Sequence, residues 1–113
     1  MADCIFCQIV SKKIPTKLIA ATENFIVIED IAPKAPVHLL IIPREHIPSL
    51  EKTTDAHALL LGAMLLHCQS LAKKFNLSNR GYKVVINTGF EGGQLVPHLH
   101  LHFLGGKKIE YSV

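Results

Sequence analysis

Apolar residues gather in five short runs of this chain, each bounded by polar residues, glycine or proline. Runs of about four to eight residues with this pattern are typical of β-strands. The run Val37–Ile42 is apolar throughout and lies between two prolines, which indicates a central strand. We therefore predict five strands, at residues 18–22, 25–29, 37–42, 82–87 and 99–104.

One long stretch without proline, residues 56–75, predicts a single long helix. Residues 53–55 offer threonine and aspartate as N-caps, and lysines at 73–74 suit the C-terminus. Apolar side chains cover most of the circumference of this helix, which is more than packing against one sheet face requires. We expect part of this surface to form a homodimer contact. The apolar residues concerned are Leu59, Leu60, Ala63, Met64, Leu66 and Leu71.

The order of the predicted elements determines the fold class. A short helix or turn over Cys4–Val10 precedes the first strand, and a proline-bearing loop at 31–36 separates the second strand from the third. Strands, one helix and further strands follow one another without the regular βαβ alternation that demands a parallel sheet. We predict one α+β domain over residues 1–113, with a mainly antiparallel five-stranded sheet, one long helix and a short N-terminal helix.

Composition limits the classes of function. The 113 residues suit one domain, and 49% hydrophobic against 19% charged residues is typical of an ordinary globular protein. The net charge of +3 comes from scattered lysines and arginines, so we expect no nucleic-acid partner. The apolar stretch 58–66 is about half a membrane span, so we expect no membrane partner. Three cysteines and no export signal predict a reducing, cytoplasmic location.

Histidines alternate with apolar residues around the last predicted strand. His98, His100 and His102 would share one face of a strand, while the residues between them face the core. A solvated histidine-rich strand, a metal site and a nucleophile with supporting groups are the three interpretations. The preceding loop favours the nucleophile, because Asn87 and the glycines of residues 88–94 can bring N–H groups close to an anion.

These residues resemble the histidine-triad (HIT) superfamily. Asn87–Gly106, which contains the three histidines, looks like one of its signatures, and Asp30–His38, with the sequence DIAPKAPVH, looks like the other. The segment Pro43-Arg44-Glu45-His46 follows in the correct order. The resemblance runs from about Cys4 to Gly106 and is greatest to the Hint-like branch of nucleotide-binding phosphoramidases.

The resemblance implies a hydrolase that cleaves purine nucleoside phosphoramidates or related conjugates of AMP or GMP. His100 would attack the α-phosphorus and form a covalent nucleotidyl-histidine, which water then resolves. An imidazole suits this role because its ordinary pKa near 6.5 leaves it neutral at cytoplasmic pH. His102 and Asn87 would hold phosphate oxygens, and His98 and His38 would complete the catalytic set. A dinucleoside polyphosphate hydrolase and a purine-nucleotide-binding module with incidental activity stay open as alternatives.

The resemblance also implies a nucleotide pocket. Asp30 would accept the ribose hydroxyls, and backbone groups of residues 93–96 would receive transition-state charge. For each apolar member of the pocket, core packing is the alternative. Leu95 departs from the Hint-like branch, which usually has a serine there, and leucine cannot donate a hydrogen bond. The expected nucleotide-binding residues are Phe6, Ile9, Ile28, Asp30, Ile31, Leu40, Asn87, Gly93, Gln94, Leu95, Val96, His100 and His102.

Cys4 and Cys7 have the spacing of half a zinc site, and a second Cys-x-x-Cys pair is missing from the sequence. Further ligands would have to be histidines, and the alternative is that both cysteines are small buried hydrophobes. Resemblance to bacterial family members implies that His46 and His98 complete the set. Four protein ligands would make the zinc structural, so catalysis would need no cofactor. A metal-sensing or storage site built from the histidines is the remaining alternative.

Overall fold

The structure, a computed structural model, describes residues 3–110. Five antiparallel strands form one sheet in the order β1-β2-β3-β5-β4, with one long and one short helix. The predicted α+β fold is thereby confirmed. The elements are α1 (Ile5–Val10), β1 (Ala20–Ala21), β2 (Phe25–Glu29), β3 (Val37–Pro43), α2 (Ala58–Lys74), β4 (Lys83–Val85) and β5 (Leu101–Gly105).

Strand β3 lies at the centre of the sheet because both of its faces are covered. Leu39 and Ile41 pack in a core that includes Met64 of α2. Leu40 and Ile42 pack on the opposite face, in a second core that includes Phe6 of α1. A strand buried on both faces needs a continuous apolar sequence, which is what Val37–Ile42 supplies. Helices α1 and α2 therefore lie on opposite sides of the sheet.

Helix α2 begins two residues later than predicted. A 3₁₀ turn at Asp55–His57 precedes it, and the side chains of Thr54 and His57 form a capping box at that turn. Buried residues of α2, such as Met64, contact the sheet, whereas Leu59 and Leu66 are 88% and 64% exposed. The expected homodimer contact on this helix stays a prediction, and these two leucines are available for it.

The edge strands are shorter than predicted. Strand β1 has two residues, and β4 ends at Val85, two residues before Asn87. Strand β5 starts at Leu101, since Leu99 donates its N–H to the carbonyl of Ile47 instead of to a neighbouring strand. Within residues 3–110, no helix has the length and apolar character needed to cross a bilayer.

Candidate active site

A cavity of about 920 Å³ lies on the α1 side of the sheet. Side chains of β2, β3, β5 and β4 form its floor, because residues on one face of paired strands line up in register. Twelve of the expected nucleotide-binding residues line it, and so does His38. The twelve are Phe6, Ile9, Ile28, Asp30, Ile31, Leu40, Asn87, Gly93, Leu95, Val96, His100 and His102.

The remaining expected residue, Gln94, holds the loop together instead of lining the cavity. Its Oε1 accepts the N–H of Gly89 at 2.9 Å, and its Nε2 donates to the carbonyls of Pro48 at 2.7 Å and Val96 at 2.9 Å. A side chain with three such bonds is fixed in orientation. The side chain of Gln94 therefore stabilises the loop and does not line the cavity.

Backbone bonds fix the proton position on His100. Its Nδ1 lies 2.7 Å from the carbonyl oxygen of His98. A carbonyl can only accept, so Nδ1 carries a hydrogen, and in the neutral ring the lone pair is on Nε2. The ring is 7% exposed, and Phe6 contacts it edge-on with the ring centroids 5.1 Å apart. Nδ1 of His100 is thus engaged by the backbone, and Nε2 is the ring nitrogen left for a ligand in the cavity.

A chain of hydrogen bonds fixes the neighbouring His102 in the opposite sense. The N–H of Lys34 donates to Nδ1 of His38 at 3.0 Å, so the hydrogen of the neutral His38 ring is on Nε2. This Nε2 lies 3.0 Å from Nδ1 of His102 and 3.4 Å from Oδ2 of Asp30. His102 therefore accepts at Nδ1 and carries its own hydrogen on Nε2, where it is a donor.

Burial keeps these rings neutral. It lowers the pKa of His102 to about 4, and the nearby His100 and His38 act in the same direction. Burial also lowers the pKa of His38, although the carboxylate of Asp30 opposes the effect. At neutral pH each ring holds one hydrogen, as the hydrogen-bond chain requires. The site therefore combines a nitrogen lone pair with an uncharged N–H donor.

The loop at residues 88–94 is tightly built. The side chain of Asn87 donates to the carbonyl of Gly92 at 2.8 Å, and a Cβ on Gly92 would collide with the backbone of Thr88. The N–H groups of Gly93 and Gln94 already donate to loop carbonyls, each at 3.0 Å. The N–H groups of Gly93 and Gln94, which were expected to receive transition-state charge, are thus already bonded within the loop, because each backbone N–H is a single donor.

Four side chains that could hold a metal ion meet beside the cavity. Sγ of Cys4 lies 3.3 Å and Sγ of Cys7 3.7 Å from Nδ1 of His98, and Nδ1 of His46 lies 3.2 Å from both Sγ of Cys7 and Nδ1 of His98. A tetrahedral zinc ion places sulfur and nitrogen ligands about 3.3–3.8 Å apart. His98 also donates from Nε2 to the carbonyl of Pro43 at 2.9 Å, which leaves Nδ1 available as a ligand. The donor set fits structural zinc.

Sequence reasoning missed the cavity wall beyond the histidines. Val85, Leu104, Lys83 and Lys107 all line the cavity. Lys83 and Val85 alternate with the predicted Asn87 along one strand, so a period of two was the signal that could have placed them on the same face. The path of the chain after β5, which places Lys107 there, has no such signal.

Comparison with protein families and known sequences gives one consistent result. A family described as scavenger mRNA decapping enzyme C-term binding matches residues 3–110. A HIT-like protein from Synechococcus elongatus is 41% identical over 96% of this chain and 95% of its own length. The protein HitA from Neisseria gonorrhoeae is 44% identical over 93% of this chain and 97% of its own length.

Solved structures agree with these sequence matches. A HIT family hydrolase from Legionella pneumophila has a TM-score of 0.93 at 39% identity, covering 96% of this chain and 97% of its own. A histidine triad nucleotide-binding protein from Candida albicans has a TM-score of 0.81 at 29% identity, with coverages of 98% and 86%. A zinc-bound histidine triad family protein from Mycobacterium smegmatis has a TM-score of 0.81 at 32% identity, with coverages of 96% and 78%.

Proposed function

The chain belongs to the histidine-triad superfamily, and we propose that it is a phosphoramidase-like hydrolase of purine nucleotides. Its substrates would be nucleoside 5′-phosphoramidates or related conjugates of AMP or GMP. The observation that carries the proposal is the bond from Nδ1 of His100 to the carbonyl of His98, which leaves Nε2 free to attack. Similarity to a HIT family hydrolase and to a histidine triad nucleotide-binding protein supports the reaction class and the ligand class.

The nucleoside would bind across β2 and β3. The base would lie between Phe6 and Ile9 of α1 and the apolar floor formed by Ile28 and Leu40, four residues that line the cavity. Asp30, at the end of this floor, would accept hydrogen bonds from the ribose hydroxyls, since an ionised carboxylate has only acceptor atoms. This arrangement directs the 5′-phosphate toward β5.

The phosphate would lie between the two histidines with opposite proton positions. Nε2–H of His102 would donate to a phosphate oxygen, and Nε2 of His100 would face the phosphorus. Because His102 is neutral, it would bind the oxygen without losing a proton to it. Asn87, which also lines the cavity, would hold a second oxygen or the loop beside it. We propose that His100, His102, Asn87, His38 and His98 form the catalytic set.

The reaction would proceed in two displacements. In the first, the Nε2 lone pair of His100 forms an N–P bond while the P–N bond to the leaving amine breaks. The amine takes its proton from solvent, because the side chain of Leu95 at the cavity rim has none to give. In the second, water forms a P–O bond and the histidine–phosphorus bond breaks, which releases AMP or GMP and a proton.

Zinc would have a structural role in this proposal. Cys4, Cys7, His46 and His98 would hold the ion, which would join the start of α1 to the segment before β5. Phe6 follows Cys4 in α1 and contacts the rings of both His98 and His100. The ion would therefore keep the base pocket and the nucleophile in their relative positions. We further propose one HIT domain that works as a cytoplasmic homodimer.

Intact mass spectrometry after rapid quenching tests the proposed function. The protein would be mixed with adenosine phosphoramidate, and with a diadenosine polyphosphate for comparison. We expect hydrolysis and a transient adenylyl adduct in the wild type, and neither in His100→Ala. His67→Ala is the matched control, because His67 lies on α2 against Phe25, outside the cavity lining. Turnover in His100→Ala equal to the wild type would refute the assignment of the nucleophile.

A further inference from the structure

Two of the three cysteines lie together on the α1 side of the sheet. Cys4 and Cys7 pack in the core that contains Phe6, whereas Cys68 packs in the core on the opposite face, with Met64 of α2. All three thiols are free. The sulfur atoms of Cys4 and Cys7 lie within 4.8 Å of each other, as members of the four-ligand cluster. These two are therefore the cysteines that can react with each other.

The backbone holds this pair at the spacing of a disulfide. Cys4 is the N-cap of α1, and the N–H of Cys7 in the first turn donates to Sγ of Cys4 at 3.4 Å. The N–H of Gln8 donates to the carbonyl of Cys4 at 3.0 Å, which closes the turn. Residues three apart on a helical turn have Cα atoms about 5–6 Å apart, and disulfides span about 4.4–6.8 Å. Rotation of the two side chains can thus bring the sulfurs to bonding distance without moving the backbone.

A groove beside the main cavity opens this pair to small molecules. Its volume is about 400 Å³, and both Cys4 and His46 line it. Cys7 is itself partly exposed. A peroxide molecule is little larger than water, so it can enter the groove and reach a sulfur atom. Zinc would hold both sulfurs as thiolates, which are the form of cysteine that peroxides oxidise.

Phe6 connects the cysteine pair to the main cavity. It lies between Cys4 and Cys7 in α1, and its ring contacts the rings of His98 and His100, with centroids 5.7 Å and 5.1 Å apart. Helix α1 has six residues, too few to be stable without tertiary partners. An ion in the cluster would join its start to the histidines that follow β3 and precede β5. Breaking that link would loosen Phe6, which lines the proposed base pocket.

We infer that Cys4 and Cys7 form a redox-modification site, at which hydrogen peroxide joins the two sulfurs in a disulfide, releases the zinc ion and weakens nucleotide binding. One thiolate attacks the peroxide, so an S–O bond forms, the O–O bond breaks and hydroxide leaves. The other thiolate attacks the resulting sulfenic acid, so the S–S bond forms and a second hydroxide leaves. The two sulfurs lose the two electrons that the peroxide gains. The effect on nucleotide binding rests on the proposed function, whereas disulfide formation and zinc release do not.

Treatment of the zinc-loaded protein with increasing hydrogen peroxide tests the modification. A chromogenic chelator measures the released zinc, and intact mass with peptide mapping identifies the disulfide. We expect about one zinc ion to be released for each Cys4–Cys7 disulfide. A dithiol reductant with added zinc should restore the thiols and the bound ion. A protein that takes up no zinc, sulfurs that stay unpaired after treatment, or zinc that stays bound beside the disulfide would overturn the inference.

Cysteine variants assign the disulfide to this pair. Cys68→Ser is the matched control and should give the same disulfide and zinc release, because Cys68 is buried on the other face of the sheet. Cys4→Ser should form no intramolecular disulfide, since Cys7 then has no neighbouring sulfur. A disulfide that disappears in Cys68→Ser, or one that persists in Cys4→Ser, would overturn the assignment.

AMP binding separates the modification from the proposed function. Calorimetry would give the dissociation constant of AMP for the zinc-loaded and the oxidised protein. We expect oxidation to weaken binding about two- to tenfold, as for the loss of one aromatic contact, and to have less effect in Phe6→Leu. If AMP binds both forms equally, the coupling is overturned and the proposed function stands. If the disulfide forms and zinc leaves but AMP binds neither form, the modification site stands and the proposed function fails.

Discussion

Replacing His38 tests whether the hydrogen-bond chain sets the proton position on His102. The His38→Phe change keeps a buried ring but removes two hydrogen bonds, one from the N–H of Lys34 and one to Nδ1 of His102, each 3.0 Å long. Each such bond is worth about 0.5–1.5 kcal/mol, so we expect a loss of about 1–3 kcal/mol in the free energy of unfolding. Losing the bond to His102 alone predicts a fall in kcat/KM of about two- to tenfold.

Nitrogen NMR of the histidine rings is the direct assay, because it distinguishes a protonated nitrogen from one with a lone pair. At neutral pH the wild type should show the hydrogen of His102 on Nε2, and His38→Phe should show a mixture of both positions. His38→Gln is the matched variant, since its amide N–H can replace Nε2–H of His38 and should restore part of the activity. A hydrogen on Nδ1 of His102 in the wild type would refute the reasoning, whatever the rates.

Three further predictions concern pH, metal and assembly. The folded state lowers the pKa of His102 to about 4, so between about pH 6.5 and pH 4 the unfolded chain binds a proton at this ring and the folded chain does not. The free energy of unfolding is therefore highest above about pH 6.5 and declines toward pH 4. Between pH 7.5 and pH 5, the free energy of unfolding measured with urea should fall by about 1–2 kcal/mol less in His102→Gln than in the wild type. An equal fall in both proteins would contradict the burial argument. Cys7→Ser should lower the zinc content from about one ion per chain to near zero, while Cys68→Ser, in the α2 core, should keep it; elemental analysis decides, and zinc retained in Cys7→Ser would reject the four-ligand site. Leu66→Glu should convert a dimer into a monomer by light scattering, whereas Gln69→Glu, also exposed on α2, should not; a dimeric Leu66→Glu would move the contact elsewhere.

Much of the fold could be predicted because local patterns decide it. Strand β2 has its predicted bounds and β3 is one residue longer, since their apolar runs end at clear turn signals. The start of α2 was less predictable, because Asp55–His57 forms a 3₁₀ turn whose capping box uses a histidine side chain as the acceptor. Sequence rules for caps emphasise glutamate or glutamine at that position. Errors therefore lie at element ends, where side chains and backbone compete for the same bonds.

The sequence predicted most of the residues that line the cavity, but it could not predict where the ring hydrogens lie. The alternation of His98, His100 and His102 predicted one shared strand face, but of the three only His102 lies in β5. His100 and His102 line the cavity, whereas His98 lies with the two cysteines of the metal-ligand cluster. The positions of the ring hydrogens depend on bonds to Lys34 and to the carbonyl of His98, which only the folded backbone supplies. The position of Lys107 at the cavity could not be predicted for the same reason, because it depends on the path of the chain after β5.

The group that orients His100 is part of the main chain. Many catalytic imidazoles are oriented by a carboxylate, which a single substitution can delete. Here the acceptor is the carbonyl oxygen of His98, two residues earlier in the same segment, and every amino acid at position 98 would still provide one. A substitution at position 98 would thus remove a proposed zinc ligand while His100, the proposed nucleophile, keeps its hydrogen-bond acceptor. The proposed zinc ligand and the carbonyl that orients His100 belong to one residue but are separable by mutation.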